Sequence, residues 1–209
     1  MGEITAITQQ KSNAKRCSIF VDGRFYCGMR LETVLANRLR CGQEVEAADL
    51  DRMQFESESG EAFDRALTHI SSSMKTRRQM EEFLRGKGYV PAVTEDVLRR
   101  LEEYGYVDDA EYARAYAEGA RKDSGRRAVE AGLLKRGVPA GIAAETAAGI
   151  SDAEEEETAL RLLRKYMRGK EPDEATLRRA ARYLSGRGFG SETVRAALRG
   201  LTEETDEDG

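Results

Sequence analysis

The chain has 209 residues, of which 40% are hydrophobic and 34% charged, and its 34 basic and 38 acidic side chains give a net charge of −4. It has no apolar run near the roughly 18 residues of a membrane span, and the opening MGEITAIT has no signal-peptide pattern. Three cysteines without CxxC spacing, at positions 17, 27 and 41, argue against a disulfide framework or zinc site and predict free thiols in a reducing cytoplasm.

The negative charge is concentrated at the end of the chain. Residues 202–209, TEETDEDG, hold five acids and no base, so the rest of the chain has 34 basic and 33 acidic residues. A body this close to neutral is not a polycation built for bulk binding of DNA. We expect 202–209 to be an acidic disordered tail.

Residues 1–57 are predicted to form an N-terminal segment with a β-hairpin and short helices. ITAI is a short β-type run near the start, and helical patterns follow the hairpin at 31–39 and 47–55. The polar stretch SESGE at 57–61 is typical of a boundary between folded segments.

The hairpin signal is CSIFVDGRFYCGM at 17–29, where β-branched and aromatic residues flank Asp22-Gly23. A type I′ turn needs positive φ at both central residues, which Asp-Gly supplies. Continued pairing from this turn places Ser18 opposite Cys27 and turns Cys17 to the other face. This register disfavours a Cys17–Cys27 disulfide.

A phrase recurs three times in the rest of the chain. It reads FLRGKGY at 83–89, GLLKRGV at 132–138 and YLSGRGF at 183–189, with offsets of 49 and 51 residues. Such spacing indicates a repeat protein. We divide the chain into repeat one (58–106), repeat two (107–150) and repeat three (151–201).

Each repeat is predicted to contain three helices, with the recurring phrase closing the second. The predicted ranges are 59–71, 76–86 and 93–104, then 109–122, 125–136 and 140–149, then 152–168, 173–187 and 191–200. Thr76 with Gln79 fits a capping box, and Ser191 is the predicted N-cap of the last helix. The glycine of each phrase is the expected left-handed helix stop, followed by an apolar plug.

Apolar columns that recur between repeats predict the core. They are Phe63, Tyr112 and Leu163; Leu67, Tyr116 and Met167; and Leu101, Ile150 and Leu201. Three-helix units of this size bury too little surface alone, so we expect them to stack into a curved elongated body. The aromatic residues lie at core spacing, so base-stacking platforms are not evident.

Catalytic chemistry has little support in the sequence. The one histidine, His69, is predicted to lie partly exposed on a helix, and it excludes most His-dependent triads and multi-His metal sites. The acidic run Glu154–Glu157 opens a predicted helix, where it complements the helix dipole. We therefore expect neither an enzyme nor a cofactor.

Basic residues recur once in every repeat instead. The columns are Arg78, Arg127 and Arg178; Lys87, Arg136 and Arg187; and Arg65, Arg114 and Lys165. A solvated helix face is one interpretation of each residue taken alone. Their recurrence at equivalent positions suits a partner with regularly spaced negative charge, either a nucleic acid or an acidic protein polymer.

Three blocks of the sequence resemble the bacterial regulatory protein RecX family. They are ALTHISSSMKTRRQMEEFLRGKGY at 66–89, GYVDDAEYARAY at 105–116 and RRAARYLSGRGFGSETVRAAL at 178–198. The resemblance covers about residues 60–200, and the N-terminal hairpin segment is similar to an extra part that some members carry. It implies an all-helical fold of three tandem three-helix repeats.

The resemblance also implies a non-enzymatic modulator of the RecA recombinase. Members of the family bind within the groove of the RecA–DNA filament and usually restrain its growth and activities. We expect the same of this chain, as a monomer with at most weak binding to single- or double-stranded DNA and no membrane contact. The alternatives are a helical DNA-binding protein that acts on RecA indirectly, and a helical-repeat scaffold for another protein.

The sequence departs from the family pattern in two places. One arginine expected before the second helix of repeat one is missing from Ser71–Thr76. Gly132 stands where the other repeats have Phe83 and Tyr183. From helix propensity alone, this glycine is expected to loosen repeat two by about 1 kcal/mol.

Overall fold

Strands occupy most of the first 30 residues and helices most of the rest in the computed structural model, which describes residues 1–11 and 13–207, with the backbone alone for 204–207. The prediction of a mainly α chain with a β-containing N-terminal segment is confirmed. The described residues form two compact units. The first combines Met1–Met74 with Met80–Val107, and the second combines Lys75–Gln79 with the chain from Asp108 onward.

The N-terminal segment is an antiparallel sheet rather than a lone hairpin. Its strands are β1 (Gly2–Gln10), β2 (Asn13–Val21), β3 (Arg24–Arg30) and β4 (Glu44–Val45), in the order β3-β2-β1-β4. Alternation along β2 and β3 buries Cys17, Ile19, Cys27 and Met29 on one face. This face packs with Leu50 of the following helix into the core of the sheet.

The hairpin turn is confirmed, but the register beyond it is wrong. Asp22 and Gly23 have φ of 48° and 77°, as a type I′ turn requires. A β-bulge then shifts the pairing by one residue, so that Cys27 lies opposite Ile19. Cys17 and Cys27 therefore share the buried face, although both remain free thiols.

Ten helices follow among the described residues. They are α1 (Leu31–Ala36), α2 (Ala47–Ile70), α3 (Arg77–Gly86), α4 (Pro91–Glu103), α5 (Asp109–Ala120), α6 (Arg126–Lys135), α7 (Ala140–Ala148), α8 (Asp152–Met167), α9 (Glu174–Gly186) and α10 (Ser191–Glu207). The three predicted three-helix repeats correspond to α2–α4, α5–α7 and α8–α10, each with its own buried apolar cluster.

The boundary predicted at 57–61 is wrong, because α2 runs through it without a break. The polar side chains there bind the sheet: Ser57 Oγ accepts a hydrogen bond of 2.6 Å from the Arg30 amide, and Glu61 pairs with Arg16. Gly60 leaves room for the guanidinium of Arg30, which would lie 3.1 Å from a Cβ there. The helix of repeat one is thus also the support of the N-terminal sheet.

The recurring phrase forms a Schellman stop in all three repeats, as predicted. Gly88, Gly137 and Gly188 have φ between 84° and 89°. The next amide then donates to the carbonyl five residues back, over 3.3 Å from Tyr89 to Leu84 and over 3.2 Å from Val138 to Leu133. The plug residues Val138 and Phe189 are buried and Tyr89 is partly buried.

Side-chain caps start several of the helices. The Thr76–Gln79 capping box is confirmed by two reciprocal hydrogen bonds of 3.2 Å. Glu154 completes a capping box with Ser151, consistent with the predicted dipole role of the acidic run. The predicted N-cap Ser191 is instead the first residue of α10, because the amide of Val194 bonds the carbonyl of Gly190.

The acidic end of the chain departs from its prediction. Helix α10 continues to Glu207, so residues 202–207 are helical rather than disordered. Residues 208 and 209 lie outside the described residues. Throughout the part of the chain that the structure describes, no helix has both the length and the apolar character needed to cross a membrane.

Candidate partner-binding surface

The second helix of repeat one begins against the end of the second helix of repeat two. Thr76 is fully buried, and its hydroxyl donates to the carbonyl of Arg136 over 2.8 Å. The next amide, of Arg77, donates to Asp109 Oδ1 over 2.8 Å. Orphan N–H groups of α3 are thus satisfied by residues of repeat two. All these residues lie in the second unit.

The same arrangement recurs between repeats two and three. The amide of Gly125 donates to the carbonyl of Arg187 over 2.9 Å, and the amide of Arg126 donates to Glu155 Oε1 over 2.8 Å. A Cβ on Gly125 or Gly188 would overlap backbone atoms of the facing segment, so both positions need glycine. Each second helix of repeats one and two is therefore completed by the repeat that follows it.

These contacts bring the first two basic columns together in pairs. The aliphatic stem of Arg78 lies where a Cβ of Gly137 would be, next to Arg136. Gly125 and Ala128 contact Arg187 and Gly188, so Arg127 between them also lies beside this turn. We call Arg78 with Arg136 and Arg127 with Arg187 the junction pairs. The two columns are interleaved, which the sequence alone did not predict.

The first column is exposed. Arg78, Arg127 and Arg178 all lie on the surface near the N-terminal ends of α3, α6 and α9, where a cation gains nothing from the helix dipole. Arg178 forms an ion pair with Glu174 one turn earlier. These three arginines therefore gain no stability from the helix dipole.

The second column rests on aromatic rings. The guanidinium carbon of Arg136 lies 4.3 Å from the ring centre of Tyr116, and that of Arg187 lies 4.9 Å from Tyr183. In the first unit, the ammonium of Lys87 lies 5.5 Å from the ring centre of Phe83. Such contacts orient a cation without neutralising it. A spacing of four residues marks Phe83 with Lys87 and Tyr183 with Arg187 in the sequence, whereas Tyr116 precedes Arg136 by 20 residues.

The expected loosening at Gly132 is not supported by the packing. The ring of Tyr116, from the first helix of the repeat, occupies the space that Phe83 and Tyr183 fill from the second helix. A Cβ on Gly132 would overlap the Tyr116 hydroxyl. A larger side chain here would therefore have to displace the Tyr116 ring, and glycine preserves the aromatic support of Arg136.

The third column does not join the junction pairs. Arg65 is paired with Glu61 over 2.9 Å, and the hydrogen bond that it donates to this carboxylate is the largest cause of the raised pKa of Arg65. Arg114 lines a cleft of about 480 Å³ between α5 and α7 that contains none of the residues of the first two columns. Lys165 is exposed on α8.

Sequence reasoning missed an exposed aromatic cluster in the first unit. Tyr104 and Tyr106 are 64% and 51% exposed, and their ring centres lie 5.9 and 6.5 Å from that of Phe63. The guanidinium of Arg100 lies 4.1 Å from the Phe63 ring centre. His69 is partly exposed, as predicted, and its ring stacks on Phe83 with the ring centres 4.0 Å apart.

A metal-binding cluster is absent among the described residues. No group of three or more His, Cys, Asp and Glu side chains that could hold a metal ion occurs among them. The buried carboxylate of Glu155 accepts hydrogen bonds from the Arg126 amide and, over 3.1 Å, from the Thr193 hydroxyl. Its hydrogen bonds join repeats two and three, which is a structural role.

Family models cover most of the chain, each matching one part of this architecture. They are the regulatory protein RecX N-terminal domain (residues 2–46) and the first, second and third RecX three-helix domains (62–101, 108–146 and 154–198). The regulatory protein RecX of Clostridium tetani is 30% identical over 168 residues, which cover 79% of this chain and 77% of the relative. The chain belongs to the RecX family.

Other RecX proteins are longer than the part they share with this chain. The RecX of Bacillus licheniformis is 28% identical over 170 residues, 80% of this chain and 65% of the relative. That of Bacillus subtilis is 32% identical over 123 residues, 59% of this chain and 47% of the relative. The chain thus spans about half to two thirds of the length of these Bacillus relatives.

Solved RecX structures share the fold. A crystal structure of regulatory protein RecX superposes with a TM-score of 0.70 at 20% identity, over 93% of this chain and 98% of the other. RecX from Lactobacillus salivarius gives a TM-score of 0.66 at 19% identity, over 69% of this chain and 97% of the other. At such identities the similarity concerns the fold alone.

Proposed function

We propose that this chain is a non-enzymatic modulator of the RecA recombinase that binds along the RecA–DNA filament and restrains its growth or its activities. The observation that carries the proposal is the repetition of the junction pairs, which present four arginines at two equivalent places in the second unit. Membership in a family of regulatory proteins supports the proposal. The setting is the cytoplasm, consistent with three free thiols.

The two junction pairs suit a filament because a filament presents the same surface on each successive subunit. When one junction pair has bound, the second meets the next equivalent acidic surface at a high effective concentration. Binding that favours one arrangement of the filament subunits over another shifts the population toward it. Inhibition then requires only differential affinity, without a chemical step.

The experiment is RecA ATP hydrolysis on single-stranded DNA, with and without the full chain at sub-stoichiometric amounts. We expect a progressive fall in the rate, because one bound molecule affects an entire growing filament. Direct binding to RecA is measured in parallel by light scattering or anisotropy in the absence of DNA. An unchanged ATPase rate together with no RecA binding would refute the proposal and favour a scaffold for another protein.

A DNA-binding protein that acts on RecA indirectly is the second candidate. The paired arginines, two exposed and two partly buried, are also suited to phosphate groups, which accept two parallel hydrogen bonds from a guanidinium. The two candidates differ in one measurement. Binding to RecA without DNA supports the direct modulator, whereas a RecA effect that disappears when excess competitor DNA is added supports the indirect one.

A further inference from the structure

The first unit contains a cationic cleft that the junction pairs do not explain. It lies between strand β2 and helix α2, has a volume of about 360 Å³ and is lined by Lys15, Arg16, Arg30 and Arg65. The acidic residues that line it are Glu61 and Asp64. Four cations against these two acids, with Glu32 also paired to Arg30 over 2.9 Å from outside the lining, leave a local excess of one positive charge.

Ion pairs fix the geometry of this cleft. Glu61 is paired with both Arg16 and Arg65, and Arg30 lies 3.0 Å from Asp64. Burial alone would raise the pKa of the Glu61 carboxyl, but hydrogen bonds from Arg65 and Arg16 outweigh it and lower this pKa. The carboxylate stays ionised at neutral pH and holds the two guanidiniums in place, with fewer than their five N–H donors used.

Lys15 is different from the arginines of the cleft. It is exposed, and its ammonium group has no hydrogen-bond or ion-pair partner among the described residues. Lys11, also exposed, lies in the turn between β1 and β2 and extends the positive charge away from the cleft along the surface. Fixed guanidiniums next to the Lys15 ammonium group are suited to a ligand that carries several negative charges.

We propose that this cleft binds the phosphate groups of a nucleic-acid strand. A strand supplies regularly spaced phosphates, which can occupy the cleft and continue past Lys15 toward Lys11. The lining also contains Asn13 and Thr68, side chains of the kind that contact phosphate and sugar oxygens. A phosphodiester chain carries a negative charge on every nucleotide, whereas an acidic protein matches the cleft only where several carboxylates follow one another. The inference is independent of RecA.

The test is anisotropy of the full chain with a fluorescein-labelled single-stranded oligonucleotide of 20 thymidines, at several salt concentrations. Lys15→Glu is expected to lower the affinity about five- to tenfold and to reduce the slope of log affinity against log salt by about one, as for a lost phosphate contact. Lys15→Gln is expected to fall between this variant and the wild type. Because the Lys15 ammonium has no partner among the described residues, neither change should disturb folding.

Arg52→Glu is the matched control, since it makes the same change of charge on an exposed part of α2 outside the cleft. We expect it to change the affinity less than twofold. The double variant Arg78→Glu/Arg127→Glu is measured as well, because a loss of affinity in Lys15→Glu that exceeds the loss in this variant assigns the contact to the cleft rather than to the junction pairs.

Three results would overturn the inference. The first is absence of binding by the wild type, or equal affinities for the wild type and Lys15→Glu. The second is an equal loss in Arg52→Glu, or a loss only in the junction variant, which would assign the contact elsewhere. The third is displacement of the oligonucleotide by polyglutamate as effectively as by unlabelled DNA, which would indicate an acidic protein as the ligand.

Discussion

Gly132 shows how one residue is explained only by its three-dimensional neighbour. In sequence it is a weak point of helix α6, because glycine is a poor helix former. In the structure its missing Cβ is the space that Tyr116 fills, and that ring supports Arg136. A sequence pattern reports helix propensity directly, but it does not report which helix supplies an aromatic ring.

Gly132→Ala is therefore expected to destabilise the chain by about 1–3 kcal/mol through overpacking against Tyr116. Gly119→Ala is the control, because a Cβ there meets no atom within 4 Å, and helix propensity should make it neutral or stabilising by up to about 1 kcal/mol. Urea unfolding followed by circular dichroism measures both. Equal stabilisation by the two substitutions would contradict the close approach.

The thiols provide a second test at this scale. Burial, then the nearby negative charges of Asp51 and Glu58, raise the pKa of the Cys27 thiol to about 11, so at pH 8 almost none of it is thiolate. Cys41 is exposed and Cys17 is buried. Brief iodoacetamide treatment of the native chain should modify Cys41 alone, and all three after denaturation. Mass spectrometry counts the labels, and rapid native labelling of Cys27 would contradict its burial.

Predictions of helices and turns agree closely with the structure where the cause of the element is local in sequence. The Schellman stops and the Thr76–Gln79 capping box depend on residues within one turn, and both were predicted. The bulge beside Tyr26 and the continuous helix α2 were not, because both depend on how the sheet packs against that helix. Ser57 and Gly60, which resembled a linker in the sequence, serve this packing.

Ser57→Ala tests this contact between elements. It removes the acceptor of the Arg30 amide, and an unsatisfied buried donor costs about 1–3 kcal/mol. Ser185→Ala, at an exposed position of α9, is the control and should change the free energy of unfolding by less than about 0.5 kcal/mol. Thermal and urea unfolding of both variants are compared. Equal stability would mean that the sheet does not depend on this bond.

At the scale of the whole chain, the sequence predicted the repeats and the nine recurrent basic residues but not their grouping. The columns were defined by position within a repeat, whereas the junction pairs join residues of successive repeats. Only the contacts of Thr76 with Arg136, and of Gly125 with Arg187, reveal that pairing. The family resemblance, by contrast, was visible from short blocks and is confirmed by the domain matches.

Charge reversal tests the basic surface. The triple variant Arg78→Glu/Arg127→Glu/Arg178→Glu should keep its helicity and thermal midpoint, because exposed charges contribute at most about 1 kcal/mol each. Its effect on the RecA ATPase should fall sharply, and that of the wild type should weaken with added salt. The control reverses Arg52, Arg85 and Arg195, which are equally exposed. Full activity of the folded triple variant would mean that these three arginines are solvated surface residues without a role in binding.

The second helices of repeats one and two depend on the repeat that follows, and this has a consequence for the nascent chain. Gly125 and Arg126 leave the ribosome before the residues that accept their amide hydrogen bonds, Arg187 and Glu155. At synthesis rates of roughly 5–20 residues per second, the ~60 residues from Gly125 to Arg187 take about 3–12 s to translate. During that interval the first amides of the second helix of repeat two lack their hydrogen-bond acceptors, and the repeat is exposed to proteases and chaperones. A message truncated within repeat three, before Arg187, would yield a product in which the Gly125 amide never gains its acceptor.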